Sequence, residues 1–148
     1  MEGAMLAAAA FWYHGEPPLV MDLKTVERDA DHVVALFRRH GRWGATSKTN
    51  HAVLRYRDPL YRDPRELAMS YFNEYFLEDG AKTLRSHSGP FDLSRYGEGW
   101  LTEPKHLWHI PWDLDRSRHF NLLGRTKPHE LRRADPVEIR AGKIAEWK

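Results

Sequence analysis

His32-Val33-Val34-Ala35-Leu36-Phe37-Arg38-Arg39-His40-Gly41-Arg42-Trp43-Gly44-Ala45-Thr46-Ser47 reads as a β-hairpin. Residues 32–37 are largely apolar and β-branched, residues 39–42 hold a glycine turn, and residues 43–47 return. With Arg38 opposite Trp43, antiparallel counting sets Val34 opposite Ser47 and His32 opposite Thr49. Opposed residues share a sheet face, and so do residues two apart. His32, Ser47 and Thr49 are therefore predicted to gather on one face. A slip of one residue would reverse this.

Upstream, residues 4–13 (Ala-Met-Leu-Ala-Ala-Ala-Ala-Phe-Trp-Tyr) are apolar on every side. This predicts a helix over residues 2–14, stopped by Gly15 and Pro17-Pro18. A helix without a polar face is normally buried. Its start lacks a Ser, Thr, Asp or Asn cap, since only Met1, Glu2 and Gly3 precede it. Either the protein begins abruptly, or residues belong upstream. Residues 19–23 read as a short strand and residues 24–31 as a polar turn. The expected fold class is α+β: a buried N-terminal helix packed on a small antiparallel sheet, with further helices, in one domain over residues 1–148.

Downstream, residues 52–56 are a further strand candidate, ended by Asp58-Pro59. Asp63-Pro64-Arg65-Glu66 offers an N-cap, Pro at the first helical position and a capping-box Glu. Leu67, Tyr71, Phe72, Tyr75 and Phe76 then form an apolar stripe at helical spacing, closed by Gly80. Residues 82–85 read as an edge strand and residues 86–99 as loop. Residues 103–108 suggest a short helix broken at Pro111, and residues 130–133 a helical turn. Val137, Ile139, Ile144 and Trp147 are expected to pack the tail back on the body.

The 148 residues carry 41% apolar and 30% charged side chains, with net charge +2. That balance suits a globular domain with a real core and gives no polyanion signal. The absence of cysteine excludes disulfides, a thiol nucleophile and thiolate metal ligands within these residues, and it fits cytoplasmic residence. The apolar run is too short to span a bilayer.

His32 opens a strand behind Asp31, where an imidazole suits a general base. In Ser47-Lys48-Thr49-Asn50-His51, Ser47 or Asn50 could orient that imidazole through its second nitrogen. The same residues also suit bulges and turns. His106 and His109 stand three apart, a spacing that can bring two metal ligands to one helix face. No carboxylate motif accompanies them, so no metal and no cofactor is assigned. Arg38, Arg39, Arg42, Arg55 and Arg57 form a basic stretch without a nucleic-acid motif. They read as solvated strand faces.

The order of these elements resembles the transglutaminase-like branch of the papain-like cysteine-enzyme superfamily. The resemblance rests on Met1-Glu2-Gly3-Ala4-Met5 for the helix, Asp31-His32-Val33-Val34-Ala35-Leu36 for the His strand, and Trp43-Gly44-Ala45-Thr46-Ser47 for the third site. Residues 43–59 and 65–76 are similar to bacterial transglutaminase-like proteins with no established substrate. In those proteins a Cys sits directly ahead of the residues matching Met1-Glu2-Gly3-Ala4. The resemblance thus implies a chain starting just after its nucleophile, and inactive in that form. Ser47 stands where the superfamily usually has Asp, with Asn50 as the alternative orienter. The implied chemistry is acyl transfer or amide hydrolysis on a peptide or amide substrate, with no nucleic-acid or membrane partner. A Cys thiol at the helix tip would be acidified by the dipole and paired with His32. Backbone N–H groups of Glu2 and Gly3 would form the oxyanion hole. The alternatives are a non-catalytic binding module or pseudoenzyme on the same fold, with residues 71–76 and 100–112 lining a groove, and a His-based metal enzyme.

Overall fold

The computed structural model describes residues 1–145. Helix α1 (Glu2–Tyr13) begins at Met1 with no side-chain cap. It ends where Gly15 takes φ +82, with its N–H on the Trp12 carbonyl. Ala4 and Ala8 are fully buried, and such small side chains let the helix lie close against the sheet. Phe11 meets Phe37 at 5.4 Å, and Trp12 stacks on Trp100 at 6.1 Å. The expected burial all round does not hold. Leu6 is 71% exposed and Tyr13 87% exposed, so one flank of α1 covers the sheet and the other faces out.

Strands β1 (Leu19–Lys24), β2 (His32–Arg39) and β3 (Arg42–Thr46) form an antiparallel meander. Arg38 pairs with Trp43, which is the counted register. The turn uses positive φ at both His40 (+50) and Gly41 (+76), the handedness that matches strand twist. Strand β4 (Tyr56–Tyr61) lies at the sheet edge beside β3 and runs straight through Pro59. Pro59 was expected to end the strand. It falls in an irregular stretch of the edge ladder, where a missing N–H is tolerated. Residues 52–54, expected as strand, make a 3-10 turn instead.

Helix α2 (Pro64–Met69) carries the expected cap, with Asp63 accepting from the Glu66 N–H at 2.8 Å. It stops at Met69 rather than running to Gly80. Arg57 reaches in and donates to both the Ser70 hydroxyl (3.0 Å) and the Ser70 carbonyl (3.3 Å). Its guanidinium also pairs with Glu74 and lies 4.0 Å over the Tyr71 ring. With the Ser70 carbonyl engaged, Glu74 N–H turns to Tyr71, and residues 72–74 become 3-10.

Strands β5 (Ser86–Ser88), β6 (Phe91–Asp92) and β7 (His119–Asn121) complete a seven-stranded sheet, ordered β4-β3-β2-β1-β5-β7 with β6 on β1. The expected strand at 82–85 is displaced to 86–88, inside a stretch read as loop. Helix α3 (His109–Arg116) replaces the helix expected over 103–108. Pro111 does not break it, because it sits in the first turn, whose N–H groups have no helical acceptor. Residues 128–130, rather than 130–133, form a 3-10 turn. Helix α4 (Pro136–Gly142) is capped by Asp135 and Glu138. Val137 and Ile144 stay exposed, contrary to the expected packing, while Gly142 meets the Phe76 ring. Trp147 lies outside the described residues.

Two cores result, one on each sheet face. Met21, Leu23, Val34 and Leu36 pack with Leu67, Tyr71 and Tyr75 of the α2 segment. Val20 and Ala35 pack with Ala8 of α1 and with Ile110 and Leu114 of α3. The structure is thus mixed α+β, with the N-terminal helix against an antiparallel sheet. Among the described residues no helix is long and apolar enough to cross a membrane.

Candidate functional site

The meander brings His32 and Ser47 together at the end of β2 and β3. His32 Nε2 stands 2.9 Å from Ser47 Oγ. Ser47 is 7% exposed and its hydroxyl also lies 3.3 Å from the Leu54 carbonyl oxygen. A carbonyl only accepts, so the single hydroxyl proton is directed there. Ser47 then accepts from His32 Nε2–H. That tautomer leaves Nδ1 as a lone pair, and among the described residues it has no partner. Burial depresses the imidazole from its ordinary 6.5 to about 4, with smaller contributions from the Met1 amine and His51. His32 is therefore neutral at pH 7.

The tip of α1 meets the chain at Lys48, the residue that follows Ser47. Gly3 holds it there. A Cβ on Gly3 would fall 2.6 Å from the Lys48 carbonyl oxygen, 2.8 Å from Lys48 Cα, and nearer still to Lys48 Cβ. Helix tip and post-β3 backbone touch, and only glycine fits between them. At that tip Ala4 and Met5 donate to the Met1 carbonyl at 2.9 and 3.1 Å. The N–H groups of Glu2 and Gly3 have no partner among the described residues, as the first donors of a helix without a cap.

Two recesses flank this contact. One, of about 390 Å³, is bordered by His32, Thr49, His51, Leu54, Tyr75 and Phe76. The other, of about 640 Å³, is bordered by Met1, Glu2, Gly3, Lys48, Trp108 and Pro111. Among the described residues the imidazole's hydrogen bond is to Ser47 and none is to Asn50, whose backbone carbonyl accepts from Arg55 at 3.4 Å. The Leu54 carbonyl and the Lys48 backbone escaped the sequence reading. Leu54 was counted in a strand, and nothing in the sequence marks Gly3 and Lys48 as neighbours.

His106 and His109 do not share a helix face. His106 lies ahead of α3, and the His109 ring meets Tyr96 edge-on. Asp22, Asp31 and Asp115 do cluster, but Lys24 pairs with Asp115, and His119 Nε2 lies 3.1 Å from Asp22. Burial pushes the Asp22 carboxyl up despite that contact. Of the groove residues expected, Tyr71, Tyr75 and Trp100 are buried in the cores, whereas Phe76 and Trp108 border the recesses. No family model matches the chain, and no curated protein matches it.

Proposed function

We propose that His32 and Ser47 are the base and its orienting partner in a transglutaminase-like, cysteine-type site for acyl transfer or amide hydrolysis, acting in the cytoplasm. The nucleophile in this reading is a Cys directly ahead of Met1. One observation carries it: Ser47 Oγ lies 2.9 Å from His32 Nε2 and 3.3 Å from the Leu54 carbonyl oxygen, an arrangement in which the hydroxyl accepts from Nε2–H and leaves Nδ1 as the basic nitrogen, while the adjoining Lys48 meets the tip of a helix with two unpartnered N–H groups.

A thiol at that tip would feel the positive end of the α1 dipole and would give its proton to His32 Nδ1. The thiolate would attack the amide carbon, and its oxygen would gather negative charge within reach of the Glu2 and Gly3 N–H groups. The imidazolium would return the proton to the leaving amine. Water or a second amine would then release the acyl group, again through His32. Ser47 would hold the ring by accepting from Nε2, the part usually played by Asp. These 148 residues hold no Cys, so by themselves they should turn over no amide.

Intact mass and N-terminal peptide of the protein from its source cells test this. A longer form with Cys immediately before Met1 is the expected result. A native start at Met1 overturns it and favours a non-catalytic binding protein on the same fold. Trp108, 73% exposed beside the α1 tip, would then be the first contact residue to examine.

A further inference from the structure

The recess of about 390 Å³ beside His32 has walls of two origins. His32, Thr49, His51 and Leu54 border it from the body of the domain, and Ile139, Gly142 and Lys143 border it from α4 and the residue after it. The C-terminal segment therefore shares a cavity with the imidazole.

That segment is held lightly. Its anchor is Ala134, which is buried and donates its N–H to the Gly80 carbonyl at 2.8 Å. Beyond it, among the described residues, none of α4 is buried, and Val137 and Ile144 are exposed. The far end is fastened to the backbone beside the recess. Ala52 N–H donates to the Ile144 carbonyl at 3.2 Å, and His51 stands opposite Ala145 in an antiparallel bridge. His51 Nδ1 lies 3.2 Å from the Gly142 carbonyl, which only accepts, so Nδ1–H donates there. Lys143 pairs with Glu78, and both side chains are mostly exposed. The groups that His51 and Ala52 hold are thus main-chain carbonyls, which every peptide carries. Pairing of this kind takes its affinity from the backbone and tolerates change in side chains.

We propose that residues 136–145 are an autoinhibitory strap. They pair with the backbone at His51-Ala52, where an extended peptide would otherwise dock beside His32, and the peptide enters only when the strap lifts beyond Ala134. The inference rests on the reading of His32 as the base of the site, since that reading makes the covered edge part of the substrate's path.

Docking needs no Cys, so the 148-residue chain serves for the test. The probe is a fluorescein-labelled peptide of residues 136–145, followed by anisotropy. Gly142→Val should lift the strap and leave the edge intact. Even a Cβ there would fall 2.8 Å from Phe76 Cζ, in a ring that the Lys82 ammonium covers at 5.2 Å. The probe should bind this variant at least about tenfold tighter than the parent, whose own strap competes at the high effective concentration of a tethered segment. Adding Ala52→Pro should cancel the gain. Ala52 opens a 3-10 turn and His51 before it is extended (φ −74, ψ 116), so proline fits and only the donor is lost. A second measurement uses His51→Cys with Ala145→Cys, the two bridge partners, in a chain with no other Cys. The oxidised form should exclude the probe, and reduction should readmit it. A probe carrying Lys143→Gln and Ile144→Thr should bind comparably.

A gain in either comparison that Ala52→Pro abolishes supports the strap. Equal binding in both comparisons, binding that survives Ala52→Pro, a Cys pair that does not oxidise, or loss of the altered probe overturns it. Peptide docking with an ordinary thiol at a Cys ahead of Met1 would sink the catalytic reading alone. Thiol activation without peptide docking would sink only this one.

Discussion

Gly3→Ala should destabilise the protein by about 3 kcal/mol, seen as a thermal midpoint lower by roughly 6–12 °C. The added methyl would sit within 3 Å of the Lys48 carbonyl oxygen and Cα. These are backbone atoms, and no rotamer change relieves the clash. Either α1 lifts from residues 47–49 or the end of β3 moves. Each alternative pulls the Glu2 and Gly3 N–H groups away from His32, so the pair geometry should be lost together with stability. Gly99→Ala is the control. A Cβ there meets nothing within 4 Å, and the midpoint should hold. An unchanged midpoint for Gly3→Ala would show that the helix tip does not touch Lys48.

A second large effect is a fall in stability between about pH 6.5 and pH 4, removed by His32→Gln. In the unfolded chain the imidazole takes up its proton near its ordinary 6.5, but in the folded protein only at about 4. Between those values the unfolded state holds more protons, so stability drops as pH falls and levels off below the folded value. The full difference corresponds to at most about 3 kcal/mol, and partial solvent access to His32 makes it smaller. Gln keeps a donor for Ser47 but does not titrate, so its denaturation midpoints should decline less over this window. Other groups also contribute to the pH dependence, so the comparison is variant against parent at each pH. Parallel curves would mean that His32 is not held neutral by its surroundings.

The hairpin was legible because its signals are local. A period of two, a His-Gly turn and one register choice suffice to put His32 on Ser47. The existence of α1 was equally plain, but its burial was not. Apolar composition says that a helix has something to cover, not how much of it is covered, and Leu6 and Tyr13 stay outside. Pro59 and Pro111 misled for one reason. A proline breaks an element only where its missing N–H has a partner to lose, and neither an edge strand nor a first helical turn provides one. The early end of α2 depends on Arg57, whose reach to Ser70 is a tertiary event. Strands β5, β6 and β7, two or three residues each, are too short to show any period. The recess beside His32 draws on residues 29–32, 49–54, 74–78 and 139–143, so no spacing rule could have assembled it.

The central claim is that the α1 tip, His32 and Ser47 form a thiol-activating site. The direct test places a Cys ahead of Met1 and follows its alkylation by iodoacetamide as a function of pH. The expected rate profile has its midpoint below about 7, against about 8.5 for an ordinary thiol, and His32→Ala returns it toward the ordinary value. A midpoint near 8.5 that is the same with and without His32 would contradict the claim.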